Sequence, residues 1–319
     1  MACPYPKMGN LKDCPYLRAK NHTGCSYRLS SKWSRIFPFE DIWYIIYKVD
    51  DPDCPDFSML ILVLKLFLAP GLIAIATLAG KRWGPAASGW LIGFPIISAP
   101  INFILARQHG IDFAVNGAIG VLGGQVSMCL FCAAYIFAAR KLPWWISAPL
   151  GIAAFSASAL FWNNFTLPLL PTYAVLAAVI LFFSFVIRPE NIQLKPINAW
   201  WDLPARMITA MLFVTVVTTF SSRLGPEVSG LLSTFPVFGS ILSTFTHAQQ
   251  GGRAAGQLLR GTIVGSFGIA NFYLVLGLLL PLTGSLWIYL AAAVVSLISN
   301  GIAWQFTRPR QAVLISAPK

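Results

Sequence analysis

The sequence predicts an all-α integral membrane protein with about nine transmembrane helices, arranged as two inverted four-helix repeats joined by a linker helix. Three observations predict it. Of the 319 residues, 56% are apolar and 11% are charged, against about 25% charged in a soluble domain. The acids cluster at one end: residues 1–58 hold seven of the 11 Asp and Glu, leaving Asp112, Glu190, Asp202 and Glu227 for the rest. Finally, GPEVSGLLSTFPVFGS (225–240) echoes GPAASGWLIGFPIISA (84–99), with seven of sixteen positions identical and no gap.

Residues 1–58 form a polar N-terminal tail that the mature protein need not contain, because Met59 opens the first apolar span. Cys3, Cys14 and Cys25 recur every eleven residues in CPY, CPY and CSY, with His22 and Cys54 nearby. Structural zinc prefers closer pairs of ligands, so no metal site is expected. The stretch IFPFEDIWYIIYKV (36–49) suits a membrane surface but carries few basic residues. No ordered series of basic, apolar and small-residue regions marks a signal peptide.

From Met59 the chain offers spans of roughly 20 apolar residues each. They cover 59–80, 85–106, 113–139, 143–162, 167–187, 203–222, 226–247, 254–281 and 284–306. Repeat 1 occupies 59–162, a linker helix and loop 163–202, repeat 2 203–310, and a C-terminal tail 311–319. The echo continues at a fixed offset of 141: Lys65 with Arg206, Arg82 with Arg223, Gln108 with Gln249, Gly110 with Gly251, Gly120 with Gly261, Gly124 with Gly265 and Phe131 with Phe272. Four spans return the chain to its starting side and the linker crosses once more, so the second copy enters from the opposite face. The basic residues agree. Lys81, Arg82, Arg140, Lys141, Arg188, Lys195, Arg206, Arg253, Arg260, Arg308, Arg310 and Lys319 fall on one side and, apart from the tail, only Lys65, Arg107 and Arg223 on the other. The positive-inside rule makes the first side cytoplasmic, together with the C-terminus. That rule also accounts for the net charge of +12, and no nucleic-acid partner is expected.

Pro95 and Pro236 each remove a backbone donor in mid-span and push Phe94 and Phe235 away from helical geometry. Hydrocarbon tolerates such a break only where protein or a water-filled cavity surrounds it. Spans 2 and 7 are therefore expected to be pairs of half-helices, whose ends suit anionic groups. Matching interrupted spans in two halves point to a transporter site. The candidate substrate-binding residues are Ser88, Gly89, Phe94, Pro95, Ser229, Gly230, Phe235 and Pro236, with Gln108, Gln249 and Arg260. A second reading stays open: the small residues and prolines serve close helix packing alone. Likewise Lys65, Arg206 and Arg260 either meet an anionic headgroup or solute or snorkel to the interface, and Gln108 and Gln249 either bind or satisfy helix ends.

No carboxylate falls inside a span, which argues against a carboxylate-coupled cation carrier. His109 and His247 are not equivalent, and each suits a structural role at a span end. Cys129 and Cys132 lie one turn apart on an apolar helix and read as buried thiols. Asn164-Phe165-Thr166 is a glycosylation acceptor only in a eukaryotic secretory route. Neither hydrolase, zinc-protease nor phosphate-loop motifs occur, so neither enzymatic activity nor a cofactor is expected.

Taken together, Gly230-Leu231-Leu232, Phe235-Pro236, Gln249-Gln250-Gly251 and Leu259-Arg260-Gly261-Thr262 resemble the GlpM-type inner-membrane proteins, small four-span bacterial proteins linked by name to alginate production. The first copy offers Gly89-Trp90-Leu91, Phe94-Pro95 and Gln108-His109-Gly110-Ile111-Asp112, with Val115-Asn116-Gly117 and no arginine near the place of Arg260. The resemblance covers each four-span unit, not the linker or the tail. It implies a bacterial inner membrane and an envelope-polysaccharide setting, without a mechanism. The expected function is a secondary transporter or flippase-like carrier of a neutral or anionic substrate, a small solute or lipid-linked molecule, in the lipid bilayer. The rival is a non-transporting accessory protein of envelope-polysaccharide synthesis.

Overall fold

The computed structural model describes residues 70–96, 98–165, 167–190, 201–221 and 236–307, with a two-residue antiparallel ladder of β1 (Ala19–Lys20) and β2 (Ser26–Tyr27). Ten helices follow among the described residues: α1 (70–83), α2 (Pro85–Ile92), α3 (Ser98–His109), α4 (Ile111–Ala139), α5 (Trp144–Asn163), α6 (Leu169–Val186), α7 (Asp202–Ser221), α8 (Val237–Gln250), α9 (Gly252–Thr283) and α10 (Ile288–Thr307). Five of them, α4, α5, α6, α9 and α10, are long and apolar enough to cross a membrane. The several apolar helices mark the chain as a helical membrane protein.

Two of these form the core. The 29 residues of α4 and the 32 of α9 extend about 44 and 48 Å at 1.5 Å per residue, more than a bilayer's hydrocarbon needs. Their most apolar 18-residue stretches are 61% and 67% buried, whereas those of α5, α6 and α10 are about a fifth buried. Phe131 and Tyr135 of α4 and Phe272 and Tyr273 of α9 are fully enclosed, and pack toward α5, α8 and α10. By contrast Phe185, Leu282 and Trp287 stand more than three-quarters exposed, as suits a lipid face. Trp83, Trp144, Trp145, Trp201 and Trp287 sit exposed at helix ends, where indoles prefer the membrane interface.

The two core helices run antiparallel. Gly252 at the start of α9 lies against the Ala139 backbone at the end of α4. Midway, Ser266 Oγ donates to Gln125 Oε1 at 3.3 Å, and Gly284 beyond the end of α9 faces the Ile111 side chain. Both helices start after a glycine of like conformation, Gly110 (φ 93°, ψ 174°) and Gly251 (φ 90°, ψ 169°). That region is open mainly to glycine, so the same residue makes the same sharp corner twice.

Five expected spans, 113–139, 143–162, 167–187, 254–281 and 284–306, fall within a few residues of α4, α5, α6, α9 and α10, and spans 1 and 2 differ. Predicted span 2 (85–106) is two helices, with non-helical residues described over 93–96 between them. Its first half starts from Gly84 at φ 94°, with Pro85 filling the first turn where a donor is not needed. Predicted span 1 is described only from residue 70, and its helix continues to 83, where Gly84 ends it. The first half of span 7, including Ser229, Gly230 and Phe235, lies outside the described residues, as do the tail cysteines, Lys65 and Arg223.

Candidate functional site

The broken helix is built into the bundle rather than left at its surface. α2 runs along α9 so closely that a methyl group on Gly89 would strike the Leu258 carbonyl, and one on Gly93 would strike the Gly265 backbone. From the other side, Gly261 lies equally close to the Ala86 carbonyl. Gly89 and Gly93, like Gly261 and Gly265, are spaced one helical turn apart, so two small-residue pairs face each other. The chain then leaves helical geometry at Gly93, and Phe94 N–H donates back to Leu91 O at 3.3 Å. Pro95 is buried and its carbonyl accepts from Ala99 N–H at 2.9 Å, which starts α3.

Side chains from α10 brace this break. Trp90 Nε1 donates to Asn300 O at 3.1 Å and Asn300 Nδ2 to Gly93 O at 3.4 Å. Phe94 meets the Trp90 ring edge-on. Further along, Tyr289 Oη donates to Asn102 Oδ1 at 2.6 Å, and Asn102 Nδ2 to Ala114 O at 3.1 Å. Asn102, Ser296 and Asn300 are all at least nine-tenths buried. Asn300 Oδ1 and Ser296 Oγ have no hydrogen-bond partner among the described residues.

Pro236 is buried and caps α8 from a non-helical conformation (φ −76°, ψ 61°). A helix thus starts directly after Pro236, at Val237, and another three residues after Pro95, at Ser98. Ser88 is buried in α2 and lines a small cavity beside α7. The side chain of Gln108 lies outside the described set. Its counterpart Gln249 is a member of an ionic cluster: its Nε2 donates to Asp202 Oδ1 at 2.8 Å, and its Oε1 accepts from Arg206 Nη2 at 3.2 Å. Arg206 Nε also donates to Asp202 Oδ1, at 2.7 Å, and Lys81 Nζ stands 3.0 Å from Asp202 Oδ2. Arg206 further stacks 5.3 Å from the Phe245 ring.

Asp202 is completely buried at the first residue of α7, just outside predicted span 203–222. Burial alone would raise its carboxyl. Hydrogen bonds from Arg206 and Gln249 and the charge of Arg206 outweigh that, and hold it below the usual carboxylate value. The cluster ties the end of α1 to the starts and ends of α7 and α8.

Arg260 is buried and turned toward the linker helix. Its Nε donates to Ile187 O at 2.8 Å, at the C-terminal end of α6, while Nη1 has no partner among the described residues. A cation suits that end of a helix, so Arg260 is neither a snorkelling side chain nor a wall of the break. His247 is buried beside Tyr135, with Oη and Nδ1 3.2 Å apart. Cys129 and Cys132 are free and buried. No cluster of metal-ligating side chains occurs among the described residues.

The structure therefore brings Ser88, Gly89, Phe94 and Pro95 together along α9 and α10, and sets Gln249 and Arg260 in two other places. Asn102, Asn300 and Tyr289 were passed over in sequence, although amides inside apolar spans are costly unless paired. Asp202 was read only as a span end. No protein family, no curated protein and no solved structure matches the chain.

Proposed function

We propose that the protein is a carrier, a secondary transporter or flippase-like protein, whose site for a neutral or anionic substrate lies at the broken helices. The observation that carries this is the break at 93–96, which ends one buried helix ahead of another in the middle of a predicted span. Irregular backbone at membrane depth survives where protein or a water-lined path surrounds it, and such paired half-helices frame the sites of inverted-repeat carriers. Support for the inverted repeat comes from α4 and α9. They start 141 residues apart, run antiparallel, and touch at the equivalent residues Gln125 and Ser266. A two-fold axis in the membrane plane would produce such a contact, since equivalent residues of two symmetric copies meet only at the axis. In this reading the protein lies in a bacterial inner membrane with its C-terminus in the cytoplasm.

The test uses the full chain in liposomes. Uptake of a panel of neutral and anionic solutes is measured beside the flipping of a fluorescent phospholipid. The wild type moves at least one of them saturably, and Pro95→Ala and Pro236→Ala abolish the movement while the proteins remain inserted and abundant. A wild type silent in every assay, together with envelope-polysaccharide defects from loop or tail changes, would point to an accessory protein instead. Proline variants that vanish from the membrane would leave packing as the role of the breaks.

A further inference from the structure

We infer that the cavity between α1, α2, α7 and α8 is a binding site for a small anionic group, held by Lys81 and Arg206. The cavity has a volume of about 30 Å³ and is lined by Thr77, Lys81, Ser88, Arg206, Thr246 and Gln250, among others. That is room for about two water-sized atoms, enough for a halide or for oxygens of a phosphate. Its wall carries two cations, and no acid among its described residues. Asp202 stands behind the wall and balances one of them, since its Oδ1 is taken by Arg206 and Gln249 and its Oδ2 by Lys81. One positive charge is left over.

The hydroxyls point the same way. Thr77, Ser88 and Thr246 are each 3–5% exposed, and Thr77 Oγ1 has no hydrogen-bond partner among the described residues. A buried donor without a partner is costly, and an anion in the cavity gives it one. α2 brings its first turn, at Pro85, to the same space, with the favourable end of its dipole. The last turns of α1 and α8 oppose it there, so the two side-chain charges decide the balance. Two sources supply this chemistry, a free inorganic anion and the headgroup of an anionic lipid. The inference stands apart from transport, because binding alone is read.

Full-length protein in a neutral detergent is unfolded thermally, followed by tryptophan fluorescence, in three series. Sodium chloride replaces sodium gluconate at constant ionic strength; sodium phosphate does the same; phosphatidylglycerol replaces phosphatidylcholine in the micelle. A saturable rise in Tm with chloride or phosphate assigns a free anion, and a rise with phosphatidylglycerol alone assigns a headgroup. Lys81→Gln is expected to raise the half-saturating concentration on the order of tenfold, the loss of one charge-assisted contact. Thr77→Val, which removes only the orphaned hydroxyl, weakens binding without lowering the anion-free Tm. Asp202→Asn removes the balancing charge and tightens binding, the opposite direction from Lys81→Gln. No saturable rise in any series overturns the site, and so does a rise that is the same in Lys81→Gln and Thr77→Val as in the wild type.

Discussion

Asp202 accepts from Arg206 and Gln249 and pairs with Lys81, with no exposed surface of its own. Removing one partner of a buried ion pair leaves the other charge stranded, at a cost of about 3–5 kcal/mol. Asp202→Ala is accordingly expected to lower stability by that order, read as the shift in thermal unfolding, and Asp202→Asn by less because the amide keeps hydrogen bonds. The pH dependence follows from the lowered carboxyl. Its contribution is complete above the unfolded value of about 3.9 and is lost as pH falls through the lower folded value. Stability measured from neutral pH downward should hold its Asp202 contribution to about pH 4 and then decline, and Asp202→Asn should flatten that decline. None of this was legible in the sequence, because the cluster joins three helices that only the fold brings together. Arg206 was visible as a repeat-matched residue, but its partner across the bundle was not. Arg260 shows the same limit: its charge was plain, and its place at the end of α6 was not.

Helix breaks were more legible than side-chain partners. Pro95 lacks a donor and clashes with the preceding turn, so the break it causes depends on local chemistry, and the structure breaks the helix at 93–96. The corners at Gly110 and Gly251 were equally local. What the sequence left open was which helix the glycines face. α2 and α9 meet backbone to backbone at Gly89, Gly93, Gly261 and Gly265, which supports packing as one role of the small residues around the break. It does not exclude binding, because the Phe-Pro turn lies beyond the glycine contact. Gly261→Val forces the two helices apart and should cost about 1–3 kcal/mol, the usual range for overpacking. Gly301→Ala on α10 meets nothing within 4 Å, and should be neutral or slightly stabilising, as alanine favours helix. Thermal unfolding of the two variants side by side separates a close-contact glycine from an incidental one. The polar stripe of α10 was missed because Ser296 and Asn300 look like ordinary small polar residues until Gly93 O is seen to need a donor.

At the scale of the whole molecule, two apolar helices cross antiparallel in the centre and the remaining long helices face lipid. Composition alone established that class, since 56% apolar residues with few acids outside the tail leave little choice of solvent. The repeat makes α4 and α9 equivalent but says nothing of their packing, which the contact of Gln125 with Ser266 supplies. If the two copies are inverted, their equivalent corners open on opposite sides of the membrane. Arg107 and Ala248 are equivalent, exposed residues near the ends of α3 and α8. The most direct measurement places a single cysteine at each, in a variant lacking the native thiols, and labels intact and opened cells with a membrane-impermeant reagent. The inverted repeat predicts that Arg107→Cys reacts from outside and Ala248→Cys only after opening; reaction of both from the same side would contradict it.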